Sequence, residues 1–454
     1  MCDKIKFYST NLKASEVTFS EALLKGLAPD RGLYMPKYIP KFTDEEIFSF
    51  REKEYYEIAF EVVKKFLVNE IPEDDLLNIT KDAYDFEVPV EKVYERKYIM
   101  RLDRGPTASF KDFAARMMGR LMNYYLKKEN KNLTILTATS GDTGSAIANA
   151  FYGLDNIKAV VLFPEDEVTK RQRKQMTTLG KNVQSIAING KFDDCQHLVK
   201  QAFSDPDLNY MNLSSANSIN IGRLLPQIVY YFYAWSKLSL GIDDKIIFCV
   251  PSGNFGNIMG GMLAKNMGLP VKRFVIATNA NDEFPKFIET KQYNKIEPSI
   301  NCISSAMNVG HPSNLARLIA LYDGVMDEKG NISKFPNFKN MHNDIFSISI
   351  SDAQTRSCIK ETYAQYGVLL EPHGAVGWAA LNKYLEKFSA DRNPNQLCVS
   401  LETAHPAKFP EEIQKILSLN PDIPESLKGL EELQESFVKL EKGYEVFKNF
   451  LKEK

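Results

Sequence analysis

No run of the 454 residues is apolar over the roughly 20 positions that a bilayer-spanning helix requires. Polybasic tracts are missing as well: 57 Lys and Arg stand against 58 Asp and Glu, and both signs are spread along the chain. With a net charge of -1 no global field draws in nucleic acid or an anionic membrane, so an anionic ligand must be held by a local site. Histidine is scarce. His197, His311 and His342 have no acids or cysteines at metal-ligand spacing, and no metal site is expected. Cys2, Cys195, Cys249, Cys302, Cys358 and Cys398 form no CxxC pair, and several lie in apolar stretches, which predicts free thiols in a reducing compartment. The opening MCDKIKFYSTNLKASEV has no apolar core and the first arginine is Arg31. Neither a secretory signal nor an arginine-rich transit peptide is therefore expected, and the predicted location is cytoplasmic.

What is present is an ordinary globular composition, 44% hydrophobic and 25% charged, at a length sufficient for several folding units and a ligand between them. Residues 1–95 are charged and aromatic, with helical spacing in Phe19, Ala22, Leu23 and Leu27 and again from Tyr55 to Phe66, so a mostly helical N-terminal domain is predicted. Residues 96–410 read as a catalytic core. Short β-branched runs there, at Leu133 to Thr137, Ala159 to Phe163, Val183 to Ile188, Ile246 to Val250, Phe274 to Ala277 and Leu397 to Leu401, alternate with helical stretches. Such alternation predicts parallel strands in an α/β fold, with a smaller α/β unit at about 130–215 inside the core. Residues 411–454 carry Leu427, Leu430, Leu433, Phe437 and Leu440 at helical spacing, then Tyr444, Phe447 and Leu451, which predicts C-terminal helices.

Three segments carry chemistry. TATSGDTGSA, from Thr137 to Ala146, follows a strand and leads into a helix start near Thr143, so Ser140, Gly141 and Thr143 are placed to meet an anion such as a carboxylate. Asp142 is awkward there unless it meets a donor. PSGNFGNIMGG, from Pro251 to Gly261, lets Gly253 and Gly256 turn the chain and aim the N–H groups of Asn254, Phe255, Gly256 and Asn257 at one phosphate. It is neither GxGxxG nor GxxxxGK[ST], so a dinucleotide or nucleoside triphosphate is not indicated. In RGPTASFKDFAAR, Ser109 reads as an N-cap with Asp112 completing a capping box, which puts Lys111 in the first helical turn. The helix dipole and the flanking Phe110 and Phe113 both disfavour an ammonium there and lower the pKa of a potential amine nucleophile. Taken alone, the first segment is as readily a turn with a helix cap, the second is a glycine-rich turn as readily without a ligand, and a lone lysine more often snorkels to water. Together they are the parts of a pyridoxal 5′-phosphate site acting on an amino acid.

PTASFKDFAAR, TATSGDTGSA, PSGNFGN, NSINIGRLLPQ and LETAHPAKFP, with the opening YSTNLKASEVTFSEALLKGLAPDRGLYMP, closely resemble the threonine synthases, in the longer branch found in many bacteria and fungi. The resemblance runs from about residue 5 to 420. It implies a fold-type II PLP enzyme, similar to the tryptophan synthase β-subunit, with an added N-terminal domain. It also implies conversion of O-phospho-L-homoserine and water to L-threonine and phosphate, the last step of threonine biosynthesis. By the same resemblance Lys111 is the PLP lysine; Gly253, Asn254, Phe255, Gly256 and Asn257 hold the cofactor phosphate; and Thr403 meets the pyridine nitrogen. Ser140, Gly141, Asp142 and Thr143 fall on the substrate-carboxylate loop. In the wider superfamily Asn is common at the position of Asp142, where it faces the ring hydroxyl, so the departure leaves that oxygen's partner open. A neutral hydroxyl at Thr403 implies a moderated electron sink.

The substrate phosphate needs a second anion site. The candidates are Arg223 with Asn217 and Asn220, and the basic helix with Lys170, Arg171, Arg173 and Lys174; the bidentate fit of arginine favours Arg223, and the basic helix reads as a solvated face. His373 and His405, inside family-like segments, read as helix-start and packing residues. A phospholyase releasing 2-oxobutyrate, ammonia and phosphate shares every part named so far, and a non-catalytic PLP-binding homologue is the alternative of another class. No nucleic-acid, membrane or protein partner is indicated, and a monomer or weak homo-oligomer is expected, with the smaller α/β unit closing over substrate.

Overall fold

The strand-like runs of the sequence fold as strands and sort into two sheets in the computed structural model, which describes residues 4–139 and 141–453. Ser140 therefore lies outside the described residues. The larger sheet runs in the order Ile345–Ser349, Val271–Thr278, Ile246–Pro251, Cys398–Glu402, Lys97–Arg101, Val90–Tyr94. Its neighbours are parallel except for the last pair, which is antiparallel. Every residue of Ile246–Pro251 and of Cys398–Glu402 is buried. That burial on both faces is why Ile246–Pro251 reads as an unbroken apolar run with no polar alternation. Helix Pro372–Lys387 packs on these central strands.

The smaller sheet has the order Val438–Glu441, Val183–Asn189, Ile157–Pro164, Leu133–Ala138, Leu213–Ser214, all parallel. Helix Lys111–Glu129 lies against helix Asp142–Phe151 of this unit. A Cβ on Gly119 would stand 3.1 Å from the Ala150 carbonyl, so glycine is what lets the two helices approach. One apolar cluster joins the N-terminal helices, both units and the helices between them.

The N-terminal region contains helices Phe19–Lys25, Asp44–Ser49, Tyr55–Phe66 and Glu73–Ala83 and a short ladder of Phe7–Ser9 with Tyr34–Pro36. Leu27 falls beyond the first helix, which ends at Gly26 with φ 74. The boundary at 95 is drawn too late, because Val90–Tyr94 is already the edge of the larger sheet. The C-terminus is corrected more strongly. Its only helix beyond residue 417, among the described residues, is Tyr444–Lys452; before it come single 3₁₀ turns at Glu425–Leu427 and Leu430–Glu432 and the strand Val438–Glu441. Leu433 is exposed, so the leucines expected on one helical stripe face no common core. Val438 and Leu440 instead alternate with Lys439 and Glu441, the period of a half-buried edge strand.

Candidate active site

Lys111 is the first residue of its helix. The expected capping box does not form. Phe110 occupies the N-cap with helical backbone angles, Ser109 Oγ accepts weakly from Lys111 N–H at 3.3 Å, and Asp112 accepts from Thr107 N–H at 2.8 Å and Thr107 Oγ at 2.6 Å. The turn before the helix draws Asp112 away: a Cβ on Gly105 would lie 2.5 Å from Asp112 Oδ2, so this turn closes directly on the carboxylate. Ser109 is fixed by a bridge to Ala404, and Phe110 N–H donates to the Thr403 carbonyl at 2.9 Å, tying the lysine's helix to the strand end that carries Thr403.

The Lys111 side chain is only 14% exposed. Burial pushes its pKa down against the pull of Asp142, and the ammonium of Lys408 and the guanidinium of Arg223 lower it further. The donor that Asp142 needs is present in force. Lys408 Nζ stands 2.6 Å from Asp142 Oδ1, Lys111 Nζ 3.7 Å from Oδ2, and Gln172 Nε2 donates to Oδ1 at 3.2 Å. Burial works against the charge, yet Lys408 and then Lys111 hold the Asp142 carboxyl far below the usual carboxylate range. Gly141, with φ 148, is the N-cap of helix Asp142–Phe151, and Thr143 is half-buried in its first turn.

The loop read as a phosphate cradle makes a tight turn between a strand and a helix. Helix Gly256–Asn266 follows strand Ile246–Pro251 through Phe255, which takes φ 64. A buried phenylalanine in the left-handed region is unusual, and its edge-to-face contact with Phe284 at 4.8 Å holds it there. The N–H groups of Asn254, Phe255, Gly256 and Asn257 have no acceptor among the described residues, the condition for receiving an anion. A Cβ on Gly253 would stand 3.0 Å from the Ala306 carbonyl and 3.1 Å from Met307 Cα, so the floor has no room for a side chain. Ser313 Oγ donates to Asn254 Oδ1 at 3.1 Å and Asn257 Nδ2 to the Pro251 carbonyl at 2.8 Å, which fixes the loop from both ends.

Thr403 is buried just past strand Cys398–Glu402, and its hydroxyl donates to Glu371 Oε1 at a long 3.3 Å. Glu371 also accepts from Gly374 N–H at 2.9 Å and from His373 N–H and Nδ1 at 2.7 and 2.5 Å, capping helix Pro372–Lys387. Because His373 Nε2 accepts from Ala306 N–H at 2.9 Å, the ring carries its proton on Nδ1 and is neutral. His405 caps the turn Pro406–Lys408 by accepting from Ala407 N–H at 3.1 Å. Both histidines thus take the helix-start roles expected of them.

The candidates for a second anion site differ in the polar atoms they leave free. Arg223 is buried, its Nη1 donates to the Ala216 carbonyl at 2.7 Å, and its Nε has no partner among the described residues. Burial pushes its pKa down to about 10. Asn217 Oδ1 accepts from Thr137 Oγ at 2.7 Å. Asn220 is different: its Nδ2 donates to the Leu23 and Ser215 carbonyls and its Oδ1 accepts from Gly222 N–H, so both ends of the amide are used in capping a turn and none is left for substrate. The helix Lys170–Thr177 is not a solvated face. Arg173 pairs with Glu435, Lys174 donates to the carbonyls of Glu431 and Leu433, and Arg171 donates to the Ala407 carbonyl. Gln172 and Lys408, which contact Asp142, and Glu371, which contacts Thr403, are the neighbours of the candidate residues that sequence reading missed. Lys408 was inside a quoted motif, but nothing in its spacing marks it as buried.

Residues 90–399 match the family model of pyridoxal-phosphate dependent enzymes. Residues 6–84 match the threonine synthase N terminus and 374–451 the threonine synthase C-terminal model. The chain is 37% identical over 452 residues to a threonine synthase of Buchnera aphidicola from Acyrthosiphon pisum, covering 99% of this chain and 100% of the relative. The PLP-bound threonine synthase of Brucella melitensis superposes with a TM-score of 0.93 at 34% identity, covering 99% of each chain. The yeast threonine synthase superposes at 0.92 with 32% identity over 99% of this chain and 98% of its own.

Proposed function

Because the chain belongs to the threonine synthase family of PLP-dependent enzymes, we propose that it converts O-phospho-L-homoserine and water to L-threonine and phosphate with Lys111 as the cofactor lysine and catalytic base. The observation that carries this reading is the presence of three parts in one chain: a buried lysine at a helix start, tied through the Phe110 N–H to the Thr403 carbonyl, a row of N–H groups at residues 254–257 without an acceptor among the described residues, and the Thr403 hydroxyl. These fit the aldehyde carbon, the phosphate and the ring nitrogen of pyridoxal 5′-phosphate. Bound there, the cofactor supplies the electron sink that lets bonds at the substrate carbons break.

Lys111 does the proton work. Set free when the substrate's amino group takes its place, its Nζ is a neutral amine in a buried site and removes the α-proton. The same nitrogen passes that proton onward and accepts one from Cβ, after which phosphate departs from Cγ; a proton is then returned to Cγ, water delivers hydroxide to Cβ, Cα regains a proton, and the water's own proton leaves with phosphate. Thr403 is held by one long bond to Glu371 and is free to turn its hydroxyl toward the ring nitrogen. Gly141, Asp142 and Thr143, with Ser140, form the substrate-carboxylate loop, where Asp142 acts through its lysines. Arg223, with an unpartnered buried Nε, and Asn217 receive the substrate phosphate.

Among the described residues no helix is long and apolar enough to cross a membrane. A cytoplasmic location, a monomer or weak homo-oligomer, and no nucleic-acid partner complete the proposal, with the smaller unit and the C-terminal segment closing on the larger unit. Borohydride reduction of the PLP-loaded protein followed by peptide mapping is expected to place the pyridoxyl group on Lys111. Lys111→Ala is expected to release neither phosphate nor threonine while keeping the wild-type unfolding transition. Substantial turnover by that variant overturns the reading.

A further inference from the structure

Asp142 stands between two lysines, only one of which carries the cofactor in the reading above, on which this inference rests. Lys408 is 4% exposed and Asp142 7%. Their contact is short, 2.6 Å, and Lys408 is fixed without help from Lys111: its Nζ also donates to the Thr107 carbonyl at 3.0 Å, and it ends a turn capped by His405. Asp142 Oδ2 lies 3.7 Å from Lys111 Nζ. A buried carboxylate at that distance, left alone, would hold Lys111 as an ammonium, the wrong state for an amine that must attack an aldehyde and take a proton.

We propose that Lys408 is a positioning residue for Lys111: it pairs with Asp142 inside the site, so that the two form a neutral dyad and the carboxylate does not trap the cofactor lysine as an ammonium. The surrounding charges agree. Arg223, from helix Ile221–Leu224, adds to Lys408 in opposing the Lys111 ammonium; Glu371, at the start of helix Pro372–Lys387, is the other acid that favours it. The ring nitrogens of His373 are taken up elsewhere, Nδ1 by Glu371 and Nε2 by the Ala306 N–H. Asp112, on the lysine's own helix, is taken up by Thr107. Asp142 is thus the carboxylate in contact with Lys111, and Lys408 is the cation in contact with Asp142.

The test is the pH dependence of Lys111 labelling by acetic anhydride in the full chain freed of cofactor, read by mass spectrometry with exposed Lys329 as internal reference. Lys408→Met is expected to shift the Lys111 midpoint upward and reduce labelling at neutral pH by about tenfold or more, the change that accompanies one pKa unit. Adding Asp142→Asn is expected to bring the midpoint back, whereas Lys408→Arg leaves it in place. A merely structural role for Lys408 predicts no rescue by the second substitution. An unshifted midpoint in Lys408→Met, or a double variant that stays shifted, overturns the proposal. If Lys408→Met fails to fold, Asp142→Asn and the double variant carry the test: both must label at least as readily as wild type, and a drop in either overturns it. The labelling uses neither substrate nor turnover, so a failure to make threonine leaves it intact, and a failed dyad leaves the borohydride mapping of Lys111 intact.

Discussion

Lys111, Asp142 and His405 show how burial and neighbouring charges together set charge at this site. His405 is held down to about 4, chiefly by burial and then by Arg104, Arg101 and Lys408. Between that value and the ordinary histidine pKa the unfolded chain binds the proton that the folded chain refuses, so stability rises with pH across this window. His405→Asn, which keeps an acceptor for the Ala407 N–H, is expected to flatten the rise, as read from urea midpoints at a series of pH values between 4 and 7. Asp142 has the same sense at lower pH, with stability again rising as the pH rises. Its folded pKa lies below the unfolded one, so its contribution is full above the usual carboxylate range and is lost as the pH falls through the folded value. Asn220 and Arg223 separate structure from binding at residue scale. Asn220→Ala is expected to cost about 0.5–2 kcal/mol of stability, the range for losing an N-cap, with KM for substrate unchanged. Arg223→Ala is expected to raise KM with little change in cofactor retention, and the reverse pattern would remove both assignments. At this scale the sequence revealed Lys111 because a lysine is locally wrong at a helix start. It did not reveal Lys408, whose role depends on burial and on partners hundreds of positions away, or Glu371, whose role depends on burial beside Thr403.

The loops and caps between elements decide where the chemistry sits. The phosphate loop was legible since Gly253, Gly256 and the asparagines are the residues a tight, donor-lined turn requires, and Phe255 alone in the left-handed region is a feature no composition announces. Gly253→Ala is expected to weaken cofactor retention severalfold in equilibrium dialysis, because its Cβ meets the backbone of Ala306 and Met307, which has no flexible end to move aside. The capping box at Ser109 was misread for a specific reason: the same Asp112 has a nearer donor pair in Thr107. The leucines after residue 427 were misread for another. Spacing of three and four fits a helix, but only an apolar surface on that side makes one, and here a free sheet edge beside Val183–Asn189 offers better pairing to Val438–Glu441.

Each reactive loop follows a strand of one of two largely parallel sheets, the position at which open α/β folds place ligands. That much followed from the alternation of apolar runs and helical stretches. The ties across the molecule did not: Lys408 to Asp142, Arg171 to the Ala407 carbonyl, and the C-terminal acids to helix Lys170–Thr177 join segments far apart in sequence. Truncation before Leu430 removes Glu431, Glu435 and the edge strand together. It is expected to raise KM and lower the thermal midpoint while leaving the reduced pyridoxyl mark on Lys111. The direct experiment on the whole enzyme is to supply the PLP-loaded protein with O-phospho-L-homoserine and follow phosphate, threonine and 2-oxobutyrate together. Equal amounts of phosphate and threonine are expected; phosphate matched by 2-oxobutyrate, or no phosphate at all, contradicts the synthase reading.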